Sequence, residues 1–307
     1  MNTVHAVVGA GALGSAVVRA LVARDRETRL VSRRGSEQPP GAEVRMADAT
    51  DTDGLARALD GSAVVYQCAQ PAYWRWHDEF AALQQSVIDA TVRVGADLVV
   101  ADNLYMYGAP RNAALTEDSV EAPSSRKGHL RQAMATTAMD AHRHGLLRVA
   151  LSRPSHYFGA GYDRNGKSVF ATAARGRPMQ FLGRADALHS FSFLPDVAEA
   201  MVSLGVSGTG WGRAWIPPVQ AALTQGDFAQ RIWEVAGQQG AARTRFLRPP
   251  QARVLGLVSP IMREVSEMMY EFEHPYVVDS TRFEQAFSMG PTPLDDAIEQ
   301  TIAWYRS

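Results

Sequence analysis

Three glycines set the first chemical expectation. The stretch VVGAGALGS places Gly9, Gly11 and Gly14 in Gly-x-Gly-x-x-Gly spacing, directly after an apolar run and ahead of a helix-like segment. In that context the first glycine permits a tight turn and the second lets backbone approach a pyrophosphate. The third lets the helix pack closely on the strand. The helix N-terminus then offers N–H groups and positive dipole to phosphate. The next apolar run ends in Ser32, Arg33 and Arg34. An NAD enzyme usually sets a carboxylate there for the ribose 2′-hydroxyl, whereas arginine pairs with a 2′-phosphate. NADPH is therefore the expected cofactor, with NADH less favoured. Asp48, after the third run, can accept from the adenine amino group or cap the helix that starts in ATDTD.

Such a cofactor delivers a hydride, and reduction of a ketone also needs a proton. The usual donor is a tyrosine whose pKa is lowered by a lysine four residues on. No Tyr-x-x-x-Lys occurs in this chain, and its only lysines are Lys127 and Lys167.

The segments that must position these residues follow a βα rhythm. Apolar runs at 4–8, 28–32, 42–47, 62–69, 97–101 and 146–152 alternate with helical segments near 12–24, 51–59, 75–94 and 125–144. That alternation argues for parallel βαβ units, and continuous apolar runs argue for strands covered on both faces. The expected fold is α/β, a Rossmann-type doubly wound parallel sheet with a smaller, mostly helical C-terminal substrate lobe. Residues 1–159 are expected to form the NADP-binding core, completed by about 188–217 and 288–307, with 160–187 and 218–287 as the lobe. RAWIP (213–217) is expected to return to the sheet, and a last helix, about 293–305, to pack back on the main body.

The chain has 307 residues with 46% hydrophobic content, enough for one large core and a lobe. A net charge of −1 gives no footprint for nucleic acid or an anionic membrane. There is no long apolar run and no basic stretch leading into one near the start, and Cys68 is the single cysteine. A cytoplasmic location is expected. The histidines lack ligand spacing, so no metal is expected. The expected partner is a small molecule, with the chain a monomer or homodimer.

The glycine loop, DNLYMYG (102–108), LSRPSHYFGAG (151–161) and FSFLPDVAEA (191–200) stand in an order and spacing that resemble the extended short-chain dehydrogenase/reductases of the epimerase/dehydratase-like group. The resemblance covers nearly the whole length. It implies further cofactor contacts at Ala12, Leu13, Ala49, Cys68, Ala69, Gln70, Asp102, Lys127 and Ser155. Two departures stand out. The family's first glycine falls on Val8, and its catalytic Ser/Thr, Tyr and Lys fall on Asn103, Lys127 and Arg131. The chain is in this respect similar to atypical ketoreductases that tailor aromatic polyketides such as angucyclinones, which implies a place in antibiotic biosynthesis.

Four residues are candidates to replace the missing relay. Lys127, with its pKa lowered by burial and by Arg131, can act as an acid near neutral pH, or it can simply be exposed. Arg131 shares a helix face with it and can hold the nicotinamide ribose, but a guanidinium is no acid at neutral pH. Asn103 can hold a carbonyl oxygen or cap the turn after the fifth strand. His156 lies in the stretch that passes the nicotinamide in relatives and has a suitable pKa range. His129, Tyr105 and Tyr157 are further donors. Alternatively, a hydroxyl ortho or peri to an aromatic ketone can give up its own proton, leaving a phenolate.

Tyr73, Trp74 and Trp76, with Tyr105, Met268 and Met269, are expected to wall a flat apolar substrate; such residues at helical spacing also suit a core. No cluster of arginines suited to a sugar diphosphate accompanies them. The expected activity is NADPH-dependent reduction of a ketone on a bulky aromatic substrate. An ene-reductase, or an NADP(H)-binding redox sensor without turnover, remains open.

Overall fold

The computed structural model describes residues 3–35, 39–109, 113–162 and 166–307. Its main body is a sheet of seven strands. These are β1 (Val4–Val8), β2 (Thr28–Ser32), β3 (Glu43–Met46), β4 (Ser62–Gln67), β5 (Asp97–Ala101), β6 (Val149–Ser152) and, after an excursion, β11 (Arg213–Trp215). All pair in parallel, in the order β11-β6-β5-β4-β1-β2-β3. RAWIP therefore does return to the sheet. The order reverses at β1, between β4 and β2, and opens a crevice at the C-terminal ends of those strands.

The apolar runs are continuous because alternate residues feed two cores. Ala6, Val8, Val65, Leu98 and Val100 pack under α2 (Thr52–Leu59), α3 (Trp76–Val94) and α4 (Arg126–Arg143). Val7, Val64, Tyr66 and Val99 face α1 (Ala12–Val22) and α6 (Leu194–Val206) instead. Strand β6 starts three residues later than expected. Gly145 turns there with φ +70°, Leu146 is exposed, and Arg148 pairs with Asp97 at the strand end.

Beyond the sheet, the described residues form three two-stranded pieces: β7 (His156–Phe158) with β10 (Phe191–Phe193), β8 (Met179–Leu182) with β13 (Thr244–Leu247), and β9 (Leu188–His189) with β12 (Leu223–Thr224). Around them lie α5 (Phe170–Ala174), α7 (Gln225–Val235), α8 (Pro249–Gly256), α9 (Pro260–Glu267), α10 (Tyr270–Glu273) and α11 (Thr281–Phe287).

The final helix, α12 (Leu294–Arg306), differs from expectation. It packs on α5 and α7. Ala297, Ile298 and Ile302 enter one apolar cluster with Phe158, Phe170, Phe228 and Ile232. Its buried stripe thus closes the lobe, because the lobe's aromatic residues leave an apolar groove that the sheet does not reach.

Candidate active site

A cleft of about 1140 Å³ runs along the C-terminal ends of β1, β2, β4 and β5 and under the lobe. Gly9, Gly11, Ala12 and Leu13 line one end. Gly9 takes φ +110°, and a Cβ there would meet Ala69 N at 2.6 Å. A Cβ on Gly14 would strike the Gly9 carbonyl oxygen, so Gly14 serves packing rather than the cleft surface. Gly11 has nothing within 4 Å of its Cβ direction. That open space, at the N-cap of a helix with no side-chain cap and no acid in its first turn, is a cradle that fits a pyrophosphate.

Ser32, Arg33, Arg34, Asp48, Ala49, Cys68, Ala69 and Gln70 continue the lining. Arg33 and Arg34 are exposed, and Ser32 Oγ donates to the Arg34 carbonyl at 2.6 Å, which orders the turn that carries them. Asp48 Oδ1 accepts from Thr50 N at 2.9 Å and Thr50 Oγ1 at 2.8 Å. These bonds, aided by the charge of Arg33, hold its carboxyl below the usual range. The cap of α2 is Asp51, which accepts from Gly54 N at 3.1 Å. Burial raises the Cys68 thiol to about 12, so it is a neutral wall residue.

The relay positions are closed off. Lys127 is 0% exposed, its ammonium ion-pairs with Glu264 and lies 3.9 Å from Glu267, and it sits 4.5 Å from the centre of the Tyr73 ring. It does not line the cleft. The sequence reading placed this lysine at the cofactor, beside a cation. The structure surrounds it with two carboxylates of α9 instead, a burial that needs such partners. Glu267 also accepts from the Lys127 backbone N–H at 3.2 Å, in the first turn of α4, where the dipole favours an anion.

Arg131 is 2% exposed. It donates to Asp102 Oδ1 through Nε (3.1 Å) and Nη2 (2.5 Å), and to the Ala101 carbonyl at 3.1 Å. Arg153 donates to the other carboxylate oxygen through Nε at 2.8 Å and to Tyr107 Oη through Nη1 at 2.8 Å. Both residues at the cofactor end of α4 and β5 are thus spent on each other. Asp102 and Arg131 line the cleft floor as an ion pair. Asn103 lines the cleft, and its Oδ1 accepts from Tyr105 N at 3.1 Å, the turn role weighed for it.

Of the expected substrate wall, Trp76 and Tyr105 face the cleft. Tyr73, Trp74, Met268 and Met269 do not. Tyr73 is buried against Trp76, with its hydroxyl 3.4 Å from that of Tyr105. Trp74 is 51% exposed because the single 3-10 turn Tyr73–Arg75 swings it outward. Met268 and Met269, between α9 and α10, are interior packing. His129 is exposed on α4, away from the lining. Burial pushes the Tyr157 phenol well above its ordinary value.

Ser155 and His156 line the far end. The Ser155 hydroxyl is taken by the Ser190 carbonyl at 2.6 Å. The sequence reading missed Glu271 and Tyr276, which share that wall, and His189 behind it. Composition held no signal for them: they come from α10, the strand-like stretch after it, and β9. Among the described residues, His77, Glu264 and Glu267 are spaced to hold a metal ion, but the Lys127 ammonium already pairs with Glu264.

Residues 6–207 match the model of the NAD dependent epimerase/dehydratase family, more than half of the chain. The chain belongs to this family. Its members are NAD(P)-dependent enzymes of oxidoreductase type. The fold is similar to that of dTDP-glucose 4,6-dehydratase from Bacillus anthracis in complex with NAD, with a TM-score of 0.79 at 13% identity, covering 99% of this chain and 96% of that one. UDP-glucose 4-epimerase from Thermus thermophilus, in complex with NAD, gives 0.79 at 18% identity and 99% of both chains. A curated relative, the uncharacterized protein y4nG of Sinorhizobium fredii, is 24% identical over 170 residues, 53% of this chain. This family member spans 43% of that relative's length. Among the described residues no helix is long and apolar enough to cross a membrane.

Proposed function

We propose that this family member is an NADPH-dependent reductase of a ketone on a bulky, aromatic, polyketide-type substrate, working without a Tyr–Lys relay. One observation carries the reading: the nucleotide cradle is intact, while the family's relay positions are locked in ion pairs. The glycine loop would hold the pyrophosphate, and Arg33 and Arg34 the 2′-phosphate, which favours NADPH over NADH. A bound reduced nicotinamide supplies the hydride.

The cleft exceeds the roughly 300–1000 Å³ usual for a single small ligand, as a dinucleotide plus a second molecule requires. Its middle wall is Trp76, Phe80, Leu83, Tyr105, Tyr157 and Leu194, suited to a planar apolar ligand. The basic residues near that wall are already paired, Arg131 with Asp102 and Arg75 with Glu79, and Asp78 lies alongside. A sugar diphosphate would meet acids there. A phenolic hydroxyl beside the substrate carbonyl is one source of the proton; a histidine on the wall is the other.

The test is NADPH oxidation at 340 nm with a panel of hydroxyaryl ketones. Ketone-dependent oxidation, faster than with NADH, is expected. The locked relay also suits a sensor that binds NADP(H) without turnover, and tight binding with no oxidation by any ketone would establish that reading instead.

A further inference from the structure

At the lobe end of the cleft, His156 sits between two buried groups. Its Nδ1 is 2.8 Å from His189 Nε2, and its Nε2 is 3.3 Å from Glu271 Oε2. Glu271 is 1% exposed, yet it lines the cleft with His156 and Tyr276. The ring is wedged against His189, Phe272 and Tyr276, with centroids 4.8, 4.6 and 5.9 Å away. A buried carboxylate needs a partner, and among the described residues the ionisable base within ion-pair distance is this imidazole. Burial keeps His189 neutral, its pKa well below the ordinary value, so it does not compete for that charge. Burial likewise raises the Tyr276 phenol, leaving it uncharged.

We propose that His156 is the proton donor of this active site, with Glu271 and His189 as the positioning residues that hold its imidazolium. The inference rests on the ketone-reductase reading. As hydride adds to the carbonyl carbon, the C=O π bond breaks and the His156 Nε2–H bond gives its proton to the oxygen. The ketone becomes an alcohol, the nicotinamide is oxidised, and neutral His156 regains a proton from water. The geometry suits this exchange: the Nδ1 contact fixes the ring, and Glu271 Oε2, although 3.3 Å from Nε2, receives no hydrogen bond from it, so the Nε2–H is left for a substrate oxygen while the carboxylate charge stays beside the ring. It also frees the enzyme from needing a hydroxyl on the substrate.

Two measurements test it. The first is turnover of a hydroxyaryl ketone and its O-methyl ether by the wild type and by His156→Asn, with NADPH affinity followed by fluorescence. Comparable turnover of both ketones by the wild type is expected. The variant should lose about 100-fold in kcat on each, with NADPH affinity kept. An ether that is not turned over while the parent ketone is, or a variant with unchanged kcat, overturns the assignment. The second reads the pair without turnover: 15N signals of the His156 ring in the wild type and in Glu271→Gln. Movement of the Nε2 signal is expected in Glu271→Gln and not in Glu199→Gln on α6. An unmoved signal overturns the pair alone, whereas absence of ketone-dependent oxidation by the wild type overturns the ketone reading and the relay with it.

Discussion

Lys127, at the place where the family carries a phenol, is ion-paired with Glu264 across the boundary between main body and lobe. The residue that would move a proton in relatives here holds two parts of the molecule together. Lys127→Met removes the cation and leaves Glu264 and Glu267 facing each other at one spot. Losing one partner of a fully buried pair costs about 3–5 kcal/mol, and because these acids reach water, about 2–3 kcal/mol is expected here. Urea denaturation measures it. The same variant should keep NADPH affinity, since Lys127 is outside the cleft. An unchanged midpoint with lost affinity would place Lys127 at the cofactor after all.

The glycine loop separates binding from folding. Gly11 has an extended backbone, φ −72° and ψ −177°, that any residue adopts, and its Cβ direction is open. Gly11→Val should fold with a near-normal melting temperature and bind NADPH at least tenfold more weakly, about 1.4 kcal/mol. Gly9→Val should instead fail to accumulate as folded protein, because it adds a Cβ against Ala69 at φ +110°. Isothermal titration and thermal melts of the two variants distinguish these outcomes.

Arg33 and Arg34 are exposed at the mouth of the cleft and contribute little to stability. Replacing both by alanine removes the charge-assisted bonds to a 2′-phosphate. NADPH dissociation should rise about 10- to 100-fold, with NADH nearly unaffected, narrowing the ratio between them. Equal weakening toward both nucleotides would show that the arginines meet a part common to the two.

Acid stability should depend on His5. Its Nδ1 lies 3.1 Å from the Tyr66 hydroxyl, and burial, aided by Arg26, lowers its pKa from 6.5 to about 4. Between those values the unfolded chain takes up a proton that the folded one refuses. Stability is therefore full above pH 6.5 and falls as pH drops toward 4. A loss of about 2 kcal/mol between pH 7.5 and pH 5 is expected from this residue. Urea midpoints at the two pH values should show a smaller decline in His5→Gln.

The sheet was legible because β1, β4 and β5 are covered on both faces and so read as unbroken apolar runs, with the glycine loop marking the switch point. The glycine loop and the turn carrying Arg33 and Arg34 are local in sequence, and both line the cleft. The other end was not legible. Trp74 and Trp76 differ only by the direction a single 3-10 turn gives them. Met268 and Met269 have the composition of a pocket wall but fill interior space. The replacement of Tyr and Lys was visible, but only folding shows Lys127 enclosed by acids of α9. The wall around His156 draws on α10 and β9, remote in the chain, and no spacing rule joins them.

The closing of the lobe by α12 bears on how such chains can be recombined. The aromatic cluster around Phe158 takes residues from before β11, from α7 after it and from the last helix. A chimera that borrowed a relative's specificity through one splice point would inherit half of that cluster and leave an unfilled groove. Exchange needs all of these segments together, so the packing of this lobe is inherited as a coupled set rather than as a detachable cassette.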